Sequence, residues 1–97
     1  MSNLALNENQ IKMLKNCGAL GYPASKIASV MELPIKVIED GLGDKESDIS
    51  KAYQAGIDYA DYVIDLKLFD LARQGDIKAM DKLEKRKLEL KRKDLYK

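Results

Sequence analysis

From Ser47 to Gln74 the chain contains no proline and a single interior glycine, Gly56. Ile49, Ala52, Tyr53, Gly56, Ile57, Ala60, Val63, Ile64, Leu68 and Leu71 recur through it at three- and four-residue intervals. That is the 3.6-residue period of an α-helix with one broad apolar face, so the stretch predicts one long helix over 47–74. Tyr59, Tyr62, Leu66 and Phe69 add apolar character on other faces, which implies cover from more than one side. Asp44 or Ser47 is placed to cap its start, and Asp48 suits the positive end of the helix dipole. Gly75-Asp76 reads as a stop and a restart, with Gly75 as a left-handed cap and Asp76 as the next N-cap. A further helix is expected over 77–96, IKAMDKLEKRKLELKRKDLY, with Ile77, Met80, Leu83, Leu88 and Leu95 set among many charges.

The first half of the chain is broken into shorter pieces. Residues 7–18, NENQIKMLKNCG, predict a first helix capped by Asn7 with Gln10 three residues on, and Ile11, Leu14 and Cys17 share one face. Gly18 and Gly21 bracket its exit, and Tyr22-Pro23 closes it. Pro23 suits the opening turn of a second helix over 23–32, and Pro34 that of a third, IKVIEDGL, whose end Gly41 and Gly43 loosen. Within residues 24–42, ASKIASVMELPIKVIEDGL, Ala28 supplies the small residue a helix-turn-helix needs where its helices cross. Ile27, Met31, Leu33, Ile38 and Leu42 supply the apolar positions around the turn, while Glu32 stands where a glycine is usual. The expected architecture is therefore all-α: a helix-turn-helix three-helix unit, residues 1–43, followed by a helical hairpin, residues 44–97.

Composition narrows the chemistry. The 97 residues contain no histidine, which removes histidine acid–base catalysis, Ser/His and Cys/His nucleophiles, and every histidine-containing zinc site. Cys17 is the one cysteine, so an intrachain disulfide is impossible and a reducing, intracellular compartment is expected; with no activating partner it reads as a small buried hydrophobe. No apolar run approaches the ~20 residues that span a bilayer, and the N-terminus lacks a signal pattern, so no membrane partner is expected. Gly18, Gly21, Gly41 and Gly43 lack a following Gly-Lys-Ser/Thr, so no phosphate loop is present. Asp58, Asp61 and Asp65 share a helix face, which reads as a solvated or interface stripe rather than a Mg²⁺ site. Tyr53, Tyr59 and Tyr62 read as packing residues rather than base-stacking platforms. No catalytic residue, metal or cofactor is expected.

Net charge is +1, yet residues 1–81 carry nine Lys/Arg against thirteen Asp/Glu, and residues 82–97 eight against three. An acidic body with a basic end points to a polyanion or acidic surface as the partner of that end, or to cations complementing a helix dipole. On the helix-turn-helix, Ser25, Lys26, Ser29 and Lys36 are candidate phosphate contacts, but Glu39 and Asp40 would repel a DNA backbone. One copy of the unit should bind DNA weakly, and a ring of copies or the basic last helix could supply affinity. Lys85, Arg86, Lys91, Arg92 and Lys93 are the candidates there, for DNA or for partner docking. Tyr53, Ile57, Ala60, Ile64, Leu68 and Leu71 are the candidate self-association residues on the long helix.

Residues 52–83 have a recognisable layout: Ala52, Tyr53 and Gly56 early in a long helix, then Leu68, Ala72, Gly75, Asp76 and Ala79. With the preceding helix-turn-helix, the pattern A-Y-x-x-G…L-x-x-x-A-x-x-G-[ND]-x-x-A resembles the small subunits of tailed-phage terminases, over about residues 10–83. The resemblance implies a non-catalytic subunit that assembles as a homo-oligomeric ring, binds double-stranded viral DNA, and regulates a separate large terminase subunit holding ATPase and nuclease. It would act in the cytoplasm, that of the host cell if phage-encoded. Two departures stand out: the acidic recognition helix, and a chain that leaves only the basic end, Lys82 to Lys97, for the large subunit or for DNA. A dimeric transcriptional regulator and a helical adaptor without DNA binding are the alternative readings.

Overall fold

The computed structural model describes residues 5–95, with side chains described as far as Lys93. Five helices follow in order: α1 (Glu8–Leu20), α2 (Ala24–Met31), α3 (Ile35–Gly43), α4 (Asp48–Arg73) and α5 (Ile77–Leu95). The all-α expectation holds, with no strand among the described residues. The side chain of Leu95, an expected apolar position, and Tyr96 and Lys97 lie outside the described residues, as do residues 1–4 of the expected N-terminal domain.

The chain divides into two compact units, Met1–Ala60 and Asp61–Lys97, and the first half of α4 lies in the first with α1–α3. The reason is burial: Ile49, Ala52 and Gly56 on that half are all buried.

In the first unit, α1 opens on the expected capping box. The Gln10 N–H donates to Asn7 Oδ1 at 2.8 Å, and the Asn7 N–H donates to Gln10 Oε1 at 3.0 Å. The helix does not end at Gly18. It runs on to Leu20 and stops at Gly21, whose φ of 71° lets its N–H reach the Gly18 carbonyl at 3.1 Å and the Tyr22 N–H reach the Cys17 carbonyl at 3.0 Å. Pro23 and Pro34 sit one position earlier than expected, as the residues preceding α2 and α3, where their extended backbone feeds the helix and their carbonyls accept its first bonds. Helices α2 and α3 pack on each other across the turn. Glu32 closes α2 in the left-handed conformation, φ 55°, with the Leu33 N–H on the Ala28 carbonyl at 3.0 Å. The turn thus keeps glycine's geometry without glycine.

Leu14, Ile27 and Ile38 are completely buried, joined by Cys17, Ala28, Met31, Ile49 and Ala52; Leu33 and Leu42 pack half-buried against them. Each large apolar side chain so buried contributes about 1.5–3 kcal/mol. Helices α1 and α4 meet backbone to backbone. A Cβ on Gly18 would lie 2.0 Å from the Tyr53 carbonyl oxygen, and one on Gly56 would lie 1.9 Å from that of Lys15. Gly18, expected as an exit signal, is therefore an interior contact residue. Ser47, not Asp44, caps α4: its hydroxyl accepts from the Ser50 N–H at 3.0 Å and donates to the Gly41 carbonyl.

In the second unit, residues 61–73 of α4 and helix α5 form the expected hairpin. Gly75 takes φ 97° and Asp76 Oδ1 accepts from the Ala79 N–H at 3.0 Å, the stop and restart the sequence implies. Ala79 is buried, and Arg86 reaches back to α4 to bond Asp65 and Asp61.

Candidate functional site

On α2, Ser25, Lys26 and Ser29 share one exposed face by their three- and four-residue spacing. Lys26 Nζ lies 4.4 Å from the centre of the Tyr22 ring, a cation–π contact that steadies the side chain while leaving it exposed. Lys36, at the start of α3, pairs with Asp40 one turn on, Nζ to Oδ1 3.2 Å. Both partners are exposed, so the pair is worth at most about 0.5 kcal/mol and a phosphate could compete for the lysine. Glu32, Glu39 and Asp40 are also exposed here, so the face is mixed in charge with an acidic excess.

The five cations expected to act together on α5 are divided by the fold. Arg86 is committed within the hairpin: Nε donates to Asp65 Oδ1, and Nη2 approaches Asp61 Oδ1 at 3.4 Å. The Asp65 hydrogen bond, chiefly, then the charges of Asp65 and Asp61 raise the guanidinium's already high pKa against an opposing desolvation. Lys85 and Lys93 line a groove beside this clamp, together with Lys82. Lys91 and Arg92 are exposed and take no part in that groove.

The six residues expected to drive self-association are also split. Tyr53 packs on the core of the first unit and its hydroxyl donates to the Tyr22 carbonyl at 2.9 Å. Ile57, Ala60 and Leu71 are half-buried. Ile64 and Leu68 line the hairpin groove. The opposite face of α4 is exposed too: Val63, Leu66 and Phe69 are 46%, 45% and 49% exposed, and Tyr59 and Tyr62 are exposed as well. The i, i+3, i+7, i+10 spacing of 59, 62, 66 and 69 is the sequence signal that marks this second stripe.

The aspartates expected to be a solvated or interface stripe each carry a local contact. Asp58 accepts from Gln54 Nε2 at 3.1 Å, Asp61 and Asp65 hold Arg86, and Asp70 pairs with Arg73 at 3.1 Å. Among the described residues no group of three or more histidines, cysteines or carboxylates is gathered as a metal site. Cys17 is buried, as expected, and burial pushes its thiol pKa up, away from the thiolate. No helix among the described residues is long and apolar enough to cross a membrane.

No family model matches the chain, and no solved structure matches it. Over 62 residues, 64% of the chain, it is 40% identical to an L-arabinonate dehydratase of Rhizobium leguminosarum bv. trifolii (strain WSM2304). The matched stretch is 10% of that protein's length, so the chain spans only a tenth of the curated relative it is similar to.

Proposed function

We propose that this chain is a non-catalytic DNA-recognition subunit of the tailed-phage terminase small-subunit type. In this reading it self-associates through α4, binds double-stranded DNA through arrayed helix-turn-helix units, and regulates a separate large ATPase/nuclease subunit. The carrying observation is the half-exposed stripe of Val63, Leu66 and Phe69 on a long helix that directly follows a helix-turn-helix. An apolar row at helical spacing on an otherwise charged helix supports a protein-contact surface there. The residue pattern from Ala52 to Ala79 adds the resemblance to terminase small subunits. Ser25, Lys26, Ser29 and Lys36 offer phosphate contacts, and Lys91 and Arg92 add cations on α5. Many copies in a ring would compensate for the weak contact each acidic α3 makes.

Light scattering on the purified protein tests the assembly. A closed multimer reduced to a smaller species by Leu66→Glu with Phe69→Glu is the expected result; a wild-type monomer refutes this reading. Binding of duplex DNA should weaken, and its salt dependence flatten, when Lys26 and Lys36 are reversed to Glu. Unchanged binding refutes the DNA assignment. One observation favours a second reading, a helical adaptor without DNA binding: the Lys36–Asp40 pair and exposed Glu39 leave α3 little attraction for phosphate. No DNA binding even at low salt would select it, and a dimer with paired half-sites would select a transcriptional regulator.

A further inference from the structure

The hairpin carries a groove of about 590 Å³ lined by residues 61–68 of α4 and 82–93 of α5, all within the second compact unit. Its apolar lining is Ile64, Leu68 and Leu90, of which Ile64 and Leu90 stand 47% and 56% exposed. Its charges fall into two sets. Asp61 and Asp65 share the single guanidinium of Arg86 across the hairpin, which leaves one negative charge on that side. Lys82, Lys85 and Lys93 also line the groove, with Glu89 among them, and none of these four forms an ion pair among the described residues. The α5 side of the groove therefore carries three lysines against one glutamate, a net positive charge beside an open apolar floor.

We propose that this groove receives an acidic amphipathic helix from a partner protein. Lys82 and Lys93 are eleven positions apart, about 16 Å or three helical turns at ~1.5 Å per residue, which is the length a short docked helix presents. Leucine-type side chains at i, i+3/i+4 and i+7 of the incoming helix cover Ile64, Leu68 and Leu90, and carboxylates along its edge meet the three lysines. A nucleic-acid backbone fits poorly. It has no apolar face to cover Ile64, Leu68 and Leu90. A basic helix is disfavoured by the lysines, so the charge pattern selects the partner's sign as well as its shape.

The probe is a synthetic amphipathic peptide of about 16 residues, some four turns at ~1.5 Å rise each residue, with a leucine stripe flanked by glutamates. Its control has lysines in place of the glutamates. Binding to the full chain is read by fluorescence anisotropy at low and moderate salt. The glutamate peptide should bind about tenfold or more tightly than the lysine peptide, with an advantage that shrinks as salt screens it. Lys82→Glu with Lys85→Glu, both exposed positions, should reverse that preference with the circular dichroism spectrum unchanged. Equal binding of both peptides, or a preference indifferent to the reversal, overturns the proposal. So does displacement of the glutamate peptide by duplex DNA with the same dependence on Lys82 and Lys85, which would assign the groove to nucleic acid. A fall in solution mass in the double variant, without peptide, would assign the groove to a second copy and also overturn it. Loss of the Leu66/Phe69 contact or of DNA binding at Lys26 and Lys36 bears on the packaging role alone.

Discussion

Replacing Gly56 by alanine reverses the usual sign of a glycine-to-alanine change in a helix. In an open helix interior that substitution stabilises by about 1 kcal/mol, because alanine loses less backbone entropy. At Gly56 the added Cβ would lie 1.9 Å from the Lys15 carbonyl oxygen, 2.7 Å from its carbon and 3.0 Å from the Ala19 nitrogen. Comfortable non-bonded separation is about 3.5 Å, so α1 and α4 must part by roughly 1.5 Å, and a gap of even ~1 Å forfeits up to about half of each dispersion contact across it. The obstacle is helix backbone, which cannot swing aside as a side chain would. Core overpacking costs about 1–3 kcal/mol, and here belongs at or above the top of that range. Subtracting the propensity gain leaves a net loss of about 2–3 kcal/mol, or roughly 8–24 °C in Tm at ~4–8 °C per kcal/mol for a chain of this size. Thermal and urea unfolding followed by circular dichroism, at fixed protein concentration, reads this directly. Gly18→Ala, whose Cβ would lie 2.0 Å from the Tyr53 carbonyl oxygen, should cost a similar amount. The double variant should lose less than the sum, because one separation of the helices relieves both clashes. Gly43, with nothing within 4 Å of its Cβ position and no positive φ, is the control and should gain stability as alanine. A Gly56→Ala protein as stable as the wild type would refute the backbone-contact account.

Three further outcomes are expected. Glu32→Gly should stabilise by about 0.5–1 kcal/mol in urea unfolding, since Glu32 holds a left-handed φ of 55° that costs a side-chain-bearing residue about 1–2 kcal/mol, offset in part by glycine's greater unfolded-state entropy; a loss would show that its side chain matters more than its backbone. Arg86→Met should leave the first unit intact but speed amide exchange in α5, with a cost of about 1 kcal/mol after screening of the half-exposed pairs, and an Asp65/Arg86 double-mutant cycle should recover the coupling; unchanged exchange would mean the clamp does not hold the hairpin. Burial raises the Cys17 thiol pKa in the folded state, so its contribution to stability is full below the thiol's unfolded value and is lost as pH climbs through the folded one. The stability difference between wild type and Cys17→Ala should therefore narrow on the alkaline side, and a difference constant with pH would contradict that burial.

Much of the fold follows from local rules. The Asn7–Gln10 capping box, the Gly75-Asp76 stop and restart, and the apolar spacing of Ile27, Ala28, Met31 and Ile38 are short-range features. Each is set by backbone hydrogen bonds and side-chain period within a turn or two, and the sequence carries them whole. What lay beyond it depended on segments far apart in the chain. Gly18 resembles a helix-exit glycine until α4 is seen against it, since a close approach leaves no local trace. Glu32 stands at the glycine position of the turn, but a glutamate has no preference of its own for a left-handed backbone, which the packing of α2 on α3 holds in place. Among the basic residues of α5, only the hairpin shows that Arg86 is engaged with Asp61 and Asp65, more than twenty residues earlier, while Lys82, Lys85 and Lys93 are left to line a groove. Periodicity determines which residues of α4 share a face; which face α5 covers, and which is left open at Val63, Leu66 and Phe69, is decided by the tertiary partner, because the same apolar stripe can be buried against more than one neighbour.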